Sequence, residues 1–249
     1  PAGRRQRAEG AFRPMADTDF DIAALAAYLH IDPAQVARLA DRGKLPARRV
    51  AGQWRFSRAE IHHWLEQRIG LSSEAELIEM EGTLAQPAGE TDADDVVISE
   101  MLPLEAIQVP LQARTRGSVI RSMVELAANT GWLWDTAKMT TAVEAREEMM
   151  STALDIGVAL LHPRRPLPAI LDRAFLALGR TSTSIPFGGE GVMTDLFFLI
   201  SSLDDRGHLR TLARLSRLLA DATLLLELRS VTDAAAAHAA IVAAEQRLA

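Results

Sequence analysis

The stretch Asp155-Ile-Gly-Val-Ala-Leu-Leu-His-Pro-Arg-Arg165 is the part of this 249-residue chain that best predicts the fold and the site of its larger region. Its apolar residues predict a strand at about Ile156–Leu161, and Pro163 ends that strand because proline has no amide hydrogen to donate. His162 is therefore predicted at the end of a strand, just before the charged pair Arg164 and Arg165. Such a place can hold an anion, and an imidazole can be both its nucleophile and its carrier. A purely structural histidine is the alternative at this stage.

The composition narrows the class of protein. Hydrophobic residues make up 48% of the chain, which is ample for a packed core, and the absence of cysteine excludes disulfides and thiolate metal sites. Apolar runs are too short to span a bilayer, and the N-terminus lacks the apolar core of a secretory signal. We therefore expect a cytoplasmic protein without membrane insertion. Met15 is the expected natural start, and residues 1–18 are expected to be a disordered extension.

Charge is distributed unevenly around the net value of −6. Residues 1–70 contain 12 Lys and Arg against 8 Asp and Glu, whereas residues 71–97 contain 8 acidic residues and no basic ones. This pattern predicts a basic head, an acidic linker over residues 70–97 and a nearly neutral body over residues 98–249. Contact with nucleic acid, if there is any, is expected to be confined to the head.

The head has the signals of a small winged helix-turn-helix domain over residues 19–69. An amphipathic helix is predicted from Asp19 to Leu29, and a second helix follows from Pro33, with Asp32 as its cap. Two short strands on either side of Ala51-Gly52 predict a β-hairpin, and Arg58–Arg68 predicts a last helix.

The head also resembles the excisionase-type winged helix-turn-helix family, which is related to the mercury-resistance-type regulators. The resemblance is carried by the two first helices and by Gly43-Lys-Leu-Pro, Trp54-Arg-Phe-Ser and Glu60-Ile-His-His-Trp-Leu. It implies that the second helix enters the major groove of DNA and that the wing contacts the backbone. Arginine pairs with phosphates or guanine edges and glutamine reads adenine. The candidate DNA-binding residues are Gln35, Arg38, Arg42, Arg48, Arg49 and Arg55.

From Ile98 onward, predicted strands alternate with predicted helices, which indicates an α/β fold. The strands are expected near Ile107–Val109, Ile156–Leu161, Ala174–Leu178 and Leu196–Ile200. Thr141-Ala-Val-Glu144 reads as a capping box that opens a helix, and Thr232 as the cap of a last helix that ends at Leu248. The glycines at 188, 189 and 191 lack the Lys-Ser/Thr of a phosphate-binding loop and predict only a turn.

This second region resembles the enzyme IIA domain of the fructose, mannitol and nitrogen-regulatory branch of the bacterial phosphoenolpyruvate-dependent phosphotransferase system. The matching residues lie in Glu144-Ala-Arg-Glu-Glu, Thr152–His162, Pro186-Phe-Gly, Asp195-Leu-Phe-Phe-Leu and His208-Leu-Arg-Thr-Leu-Ala. The resemblance implies a mixed sheet flanked by helices. It also implies that His162 accepts a phosphoryl group, that Arg146 and His208 stand beside it, and that neither metal nor cofactor is needed. The chain departs from the family at Ala153, Asp155 and Leu161, where glycine, glycine and proline are usual.

The chemistry explains these residue types. A neutral imidazole nitrogen is a good nucleophile near pH 7, and a guanidinium can form two parallel hydrogen bonds to phosphate oxygens. His208, at the start of a helix, can orient the reacting imidazole or donate to a phosphoryl oxygen. His62 and His63 are neighbours on one helix and point in different directions, so the pair is unsuited to a single metal site.

The two regions together predict a regulatory phosphocarrier that accepts phosphate from the histidine-containing phosphocarrier protein and couples it to the binding of DNA or another partner. Two alternatives stay open. One is a sugar-transport component that passes phosphate to a permease domain. The other is a DNA-binding or interaction protein whose IIA-like domain no longer transfers phosphate. A homodimer is expected for tight DNA binding, because one small module buries little DNA surface.

Overall fold

The computed structural model describes residues 19–29, 31–71, 96–188 and 192–248. The chain divides into two compact units, Pro1–Ile61 and His62–Ala249. The predicted extension over residues 1–18 and nearly all of the predicted acidic linker lie outside the described residues, so both stay predictions.

The first unit contains two short helices and a β-hairpin. Helix α1 (Ile22–Leu29) follows Asp21, whose carboxylate accepts a hydrogen bond from the amide of Ala24. Helix α2 (Pro33–Asp41) is capped as predicted, since Asp32 accepts from the amide of Ala34. Strands β1 (Arg48–Val50) and β2 (Gln53–Arg55) pair in antiparallel fashion, and helix α3 (Arg58–Leu71) begins directly after them. The predicted winged helix-turn-helix is confirmed.

Backbone geometry and apolar burial explain why this small unit closes. Phe20 and Phe56 exchange backbone hydrogen bonds of 2.8 and 3.0 Å and are both buried, together with Leu25 and Val36. The two residues of the hairpin loop, Ala51 and Gly52, both have positive φ, at 50° and 80°. This is the combination that a two-residue turn with the twist of paired strands requires.

The second unit is built on a five-stranded mixed sheet with the strand order β3-β6-β7-β5-β4. Strand β5 is parallel to β7 and β3 is parallel to β6, whereas the pairs β6–β7 and β4–β5 are antiparallel. The strands are β3 (Ile107–Gln108), β4 (Ala153–Leu154), β5 (Val158–Leu161), β6 (Phe175–Pro186) and β7 (Met193–Ser201). The helices are α4 (Arg116–Ala128), α5 (Thr136–Met149), α6 (Asp205–Leu219), α7 (Ala222–Ser230) and α8 (Ala234–Leu248).

Strand β5 is buried along its whole length, as an apolar strand covered on both faces should be. Ala159 and Leu161 belong to the core cluster that contains residues of α4 and α5. Leu160 points to the opposite side, where it lines a cavity together with Leu212 of α6. Because side chains alternate along a strand, His162 continues on the side of Leu160, toward α6.

A glycine fixes the turn that leads into β5. The amide of Gly157 donates to the carbonyl of Leu154, and Gly157 has a φ of +80°. A Cβ atom at this position would lie 2.7 Å from Nη2 of Arg229, the end of a side chain that can shift, so the positive φ is the main reason for glycine here. The turn leaves Asp155 exposed, in contrast to the buried His162.

Several element boundaries differ from the sequence prediction. Helix α5 begins at Thr136 with Asp135 as its cap, five residues before the predicted capping box, because Asp135 accepts from the amide of Lys138. The cap of α8 is Asp233, which accepts from the amide of Ala236, and not Thr232. Strand β6 is longer than predicted because its polar second half still pairs with β7, after a register irregularity between Arg180 and Ile185. Helix α7 was not predicted.

Candidate functional site

His162 lies directly after β5, at the sheet edge where parallel strands β5 and β7 both end. Its side chain is 3% exposed. Nδ1 is 2.8 Å from the carbonyl oxygen of Leu160, and because a carbonyl can only accept, the ring hydrogen is on Nδ1. In the neutral ring the lone pair is therefore on Nε2. The fold thus buries His162 in the tautomer that offers Nε2 as a nucleophile.

His208 reaches the same edge from the first turn of α6. Asp204 caps this helix by accepting from the amide of Gly207, and Nδ1 of His208 lies 3.2 Å from Oγ of Ser202. The ring centroids of His208 and His162 are 4.9 Å apart. Burial lowers the pKa of His208 to about 4, so its ring is neutral at pH 7.

Arg146 is held at the end of α5 with its side chain 5% exposed. Nη1 donates to the carbonyl of Met150 at 2.9 Å. That carbonyl belongs to a loop that Glu147 holds in place. The buried carboxylate of Glu147 accepts hydrogen bonds from the amide of Thr152 at 3.0 Å and from Oγ of Ser151 at 2.7 Å. The other terminal guanidinium nitrogen, Nη2, is directed at a carboxylate that the sequence analysis did not include.

That carboxylate is Glu66 of α3, which is 6% exposed. Its Oε2 lies 3.2 Å from Nη2 of Arg146 and 3.5 Å from Nε2 of His162. Its Oε1 lies 3.6 Å from Nε2 of His208 and 3.1 Å from Nδ1 of His62. Burial raises the pKa of Glu66, but the facing imidazoles of His162, His208 and His62 outweigh burial and hold this pKa well below its usual range. The site therefore contains an ionised carboxylate at the meeting point of the three predicted residues.

Sequence reasoning missed Glu66 and His62, although one signal was present. That signal is their spacing, because two residues four apart on a helix share a face. The structure adds that both are buried although they are polar. The prediction compared His62 with its neighbour His63, which is only half-buried. Arg164 and Arg165, which follow His162 in the chain, are exposed and do not belong to the buried group.

The candidate DNA-binding residues are exposed except for Arg55, which is half-buried. Gln35, Arg38 and Arg42 are exposed on or just after α2. The wing residues make contacts within their own unit: Arg48 pairs with Asp19, Arg49 lies over the Trp54 ring and near Asp41, and Arg55 donates to Gln53. Arg48 and Arg49 are nevertheless exposed, so the helix and the wing both offer accessible cationic surface in this unit.

Comparison with known proteins places these observations in a class. The fold of the second unit is that of phosphotransferase IIA domains. The chain belongs to the family described as "Phosphoenolpyruvate-dependent sugar phosphotransferase system, EIIA 2", whose model matches residues 100–244. Residues 20–69 match a second family model, described as a helix-turn-helix domain.

Individual relatives agree with this assignment. A nitrogen regulatory protein of Bradyrhizobium diazoefficiens is 29% identical over 147 residues, which are 58% of this chain and 94% of that protein. The crystal structure of nitrogen regulatory protein IIA-Ntr from Neisseria meningitidis aligns with a TM-score of 0.52 and 23% identity, covering 59% of this chain and 99% of that one. IIA mannitol of Escherichia coli aligns with a TM-score of 0.50 and 18% identity, covering 56% and 97%. The structural likenesses establish the fold. In the part of the chain that the structure describes, no helix has the length and apolarity to cross a bilayer.

Proposed function

We propose that this protein is a regulatory phosphocarrier that accepts a phosphoryl group on Nε2 of His162 from the histidine-containing phosphocarrier protein. One observation supports this proposal above the others: an anion, the Glu66 carboxylate, lies between Arg146, His162 and His208. A phosphoryl group is also an anion with several acceptor oxygens, and it would find the same cation and the same imidazoles in this space.

In the proposed step, the Nε2 lone pair attacks the phosphorus of the donor's phosphohistidine. A P–N bond to His162 forms while the donor's P–N bond breaks and returns its electron pair to the donor imidazole. The hydrogen bond from Nδ1 to Leu160 keeps the ring oriented throughout. Arg146 neutralises charge on the equatorial oxygens, which is the main catalytic task in phosphoryl transfer.

Glu66 gives this function a regulatory form. At 3.5 Å from Nε2 of His162, its carboxylate leaves no room for a phosphoryl group on that nitrogen. Transfer therefore requires Glu66 to withdraw, and phosphorylation keeps it out by charge repulsion. Glu66 belongs to α3, a helix that begins at Arg58 in the first compact unit and continues into the second. We infer that release of Glu66 frees α3 and thereby changes the binding of DNA or another partner.

A second candidate function is favoured by the same carboxylate. If Glu66 never withdraws, the IIA-like domain is an interaction module that does not transfer phosphate. Incubation of the full chain with phosphoenolpyruvate, enzyme I and the phosphocarrier, followed by intact-mass measurement, separates the two functions. A phosphorylated species supports the phosphocarrier, and its absence supports the interaction module.

Replacing Glu66 with glutamine is expected to accelerate phosphorylation of His162. Gln has nearly the same size but no charge, so the contacts that retain the side chain against Arg146 become weaker. Charged hydrogen bonds contribute about 1.5–3 kcal/mol. Loss of one therefore corresponds to roughly a tenfold or greater increase in the fraction of chains in which residue 66 has withdrawn from His162. The initial rate of phosphate incorporation measures this effect. Glu60→Gln, an exposed change on the same helix, is the matched control. Equal rates for wild type and Glu66→Gln would show that Glu66 does not limit transfer.

DNA binding by the head makes a separate prediction. The double change Arg38→Ala and Arg42→Ala is expected to weaken binding to a labelled random duplex and to reduce the slope of log affinity against log salt by about two, one for each phosphate contact. Fluorescence anisotropy at several salt concentrations measures the slope. Arg121→Ala, an exposed arginine of the second unit, is the control and should leave it unchanged. A wild-type chain without salt-dependent binding would refute the DNA-binding hypothesis.

A further inference from the structure

The side chains of His62 and Glu66 face each other through two atoms that both accept hydrogen bonds when the ring is neutral. Nε2 of His62 lies 3.3 Å from the carbonyl oxygen of Asp205, and because a carbonyl only accepts, the ring hydrogen is on Nε2. Nδ1 is then without a hydrogen in the neutral ring, yet it lies 3.1 Å from Oε1 of Glu66. Two acceptors at this distance repel each other unless a positive charge, either a proton on Nδ1 or a metal ion, lies between them.

A second histidine, His208, reaches the same point. Its Nε2 is 3.6 Å from Oε1 of Glu66, and neither atom has a hydrogen-bond partner within the described residues. Both side chains are more than nine-tenths buried. Buried polar atoms without partners are costly, so the meeting of these two atoms beside Nδ1 of His62 indicates a place for a cation.

The spacing and chemistry of the three atoms fit a metal ion. One ring nitrogen of His62, one carboxylate oxygen of Glu66 and one ring nitrogen of His208 all lie within 4.8 Å of one another. Zinc binds imidazole and carboxylate at about 2.0–2.2 Å in tetrahedral geometry, which separates neighbouring ligand atoms by roughly 3.4 Å. The two contacts of Oε1, at 3.1 and 3.6 Å, lie on either side of that value.

We propose that His62, Glu66 and His208 form a binding site for a divalent transition-metal ion of the zinc class, with one coordination position left for water. A set of two histidines and one glutamate is a known zinc ligand set. The outer contacts that such a site needs are present. The Asp205 carbonyl fixes the ring of His62, and Arg146 holds the second oxygen of Glu66. The proposal departs from the expectation of no metal, which compared His62 only with His63 and with no residue of another element.

The site would also regulate phosphorylation, a consequence that rests on the proposed function. A bound metal keeps Glu66 beside His162 and occupies Nε2 of His208. Metal and phosphoryl group would therefore exclude each other. The metal-loaded chain would be the form in which Glu66 blocks Nε2 of His162.

Zinc titration of the full-length, chelator-treated chain against a chromophoric competitor tests the site without any phosphotransfer reagent. We expect one zinc ion per chain, and we expect His62→Ala to weaken binding at least about a hundredfold, since even the loss of an outer contact costs 10–100-fold. His238→Ala, a half-buried histidine elsewhere, should bind like wild type. Zinc should also raise the thermal unfolding midpoint of wild type but not that of His62→Ala, which reports on the site even if the variant is less stable.

The outcomes separate this proposal from the proposed function. His162 is not in the ligand set, so His162→Ala should keep its zinc affinity while losing phosphorylation. Zinc should slow phosphorylation of wild type, and His62→Ala should lose this sensitivity to zinc. The metal site is refuted if wild type does not bind zinc, or if His62→Ala and His238→Ala bind it equally well. A chain that binds zinc through His62 but never accepts phosphate would refute the phosphocarrier and leave the metal site standing.

Discussion

Replacing His162 with alanine is expected to abolish phosphate incorporation from phosphoenolpyruvate, enzyme I and the phosphocarrier. The reason is chemical: alanine offers no nucleophile, and the other imidazoles of the site are not equivalent to His162. Nε2 of His208 faces Glu66 from α6, and Nδ1 of His62 faces it from α3. Of the histidine nitrogens around Glu66, the proposal uses only Nε2 of His162, whose partner nitrogen is fixed by the Leu160 carbonyl.

The measurement is intact mass together with the stability of the label. A phosphohistidine is lost in acid and kept in alkali, which distinguishes it from a phosphoester. His238→Ala should be phosphorylated at the wild-type rate, and thermal unfolding should show that His162→Ala is folded. Phosphorylation of His162→Ala at the wild-type rate would place the acceptor elsewhere and remove the basis of the proposed step.

The second large effect is expected from Arg146. Arg146→Ala should lower the free energy of unfolding by about 3–5 kcal/mol, because it leaves the buried, ionised Glu66 without its cation. The double variant Arg146→Ala with Glu66→Ala should recover most of this loss, since it removes both charges. Urea unfolding of the wild type, both single variants and the double variant completes the cycle.

A surface pair within the same unit provides the control for this cycle. Arg121 and Glu144 are 3.9 Å apart with side chains 58% and 40% exposed, so their coupling should be at most about 1 kcal/mol. Equal coupling energies for the two pairs would mean that Glu66 is not held against Arg146 in solution. The double variant should still accept phosphate more slowly than wild type, because Arg146 is also the proposed partner of the phosphoryl oxygens.

Local signals in the sequence predicted most of the fold that positions the site. The apolar run before His162 predicted β5, and Pro163 predicted where it ends, because burial and the missing amide hydrogen act on neighbouring residues. The cap at Asp32 and the turn at Ala51-Gly52 were also predicted, because capping and turn formation likewise depend on neighbouring residues. The capping box at Thr141 was wrong because Asp135 gives an equally local cap six residues earlier, and both patterns are compatible with a helix.

The chain alone thus determined a strand that carries His162, a helix that carries Arg146 and another that begins near His208, together with a separate basic head. Only the tertiary structure decided that Glu66 stands among them. Glu66 is 80 residues from Arg146 in sequence, and no periodicity relates residues on different elements. Such a contact depends on the three-dimensional path of the chain, which brings a face of α3 to the edge where β5 and β7 end. The same folding brings His62 close to Glu66 and His208, which makes it a candidate metal ligand that its neighbour His63 did not suggest.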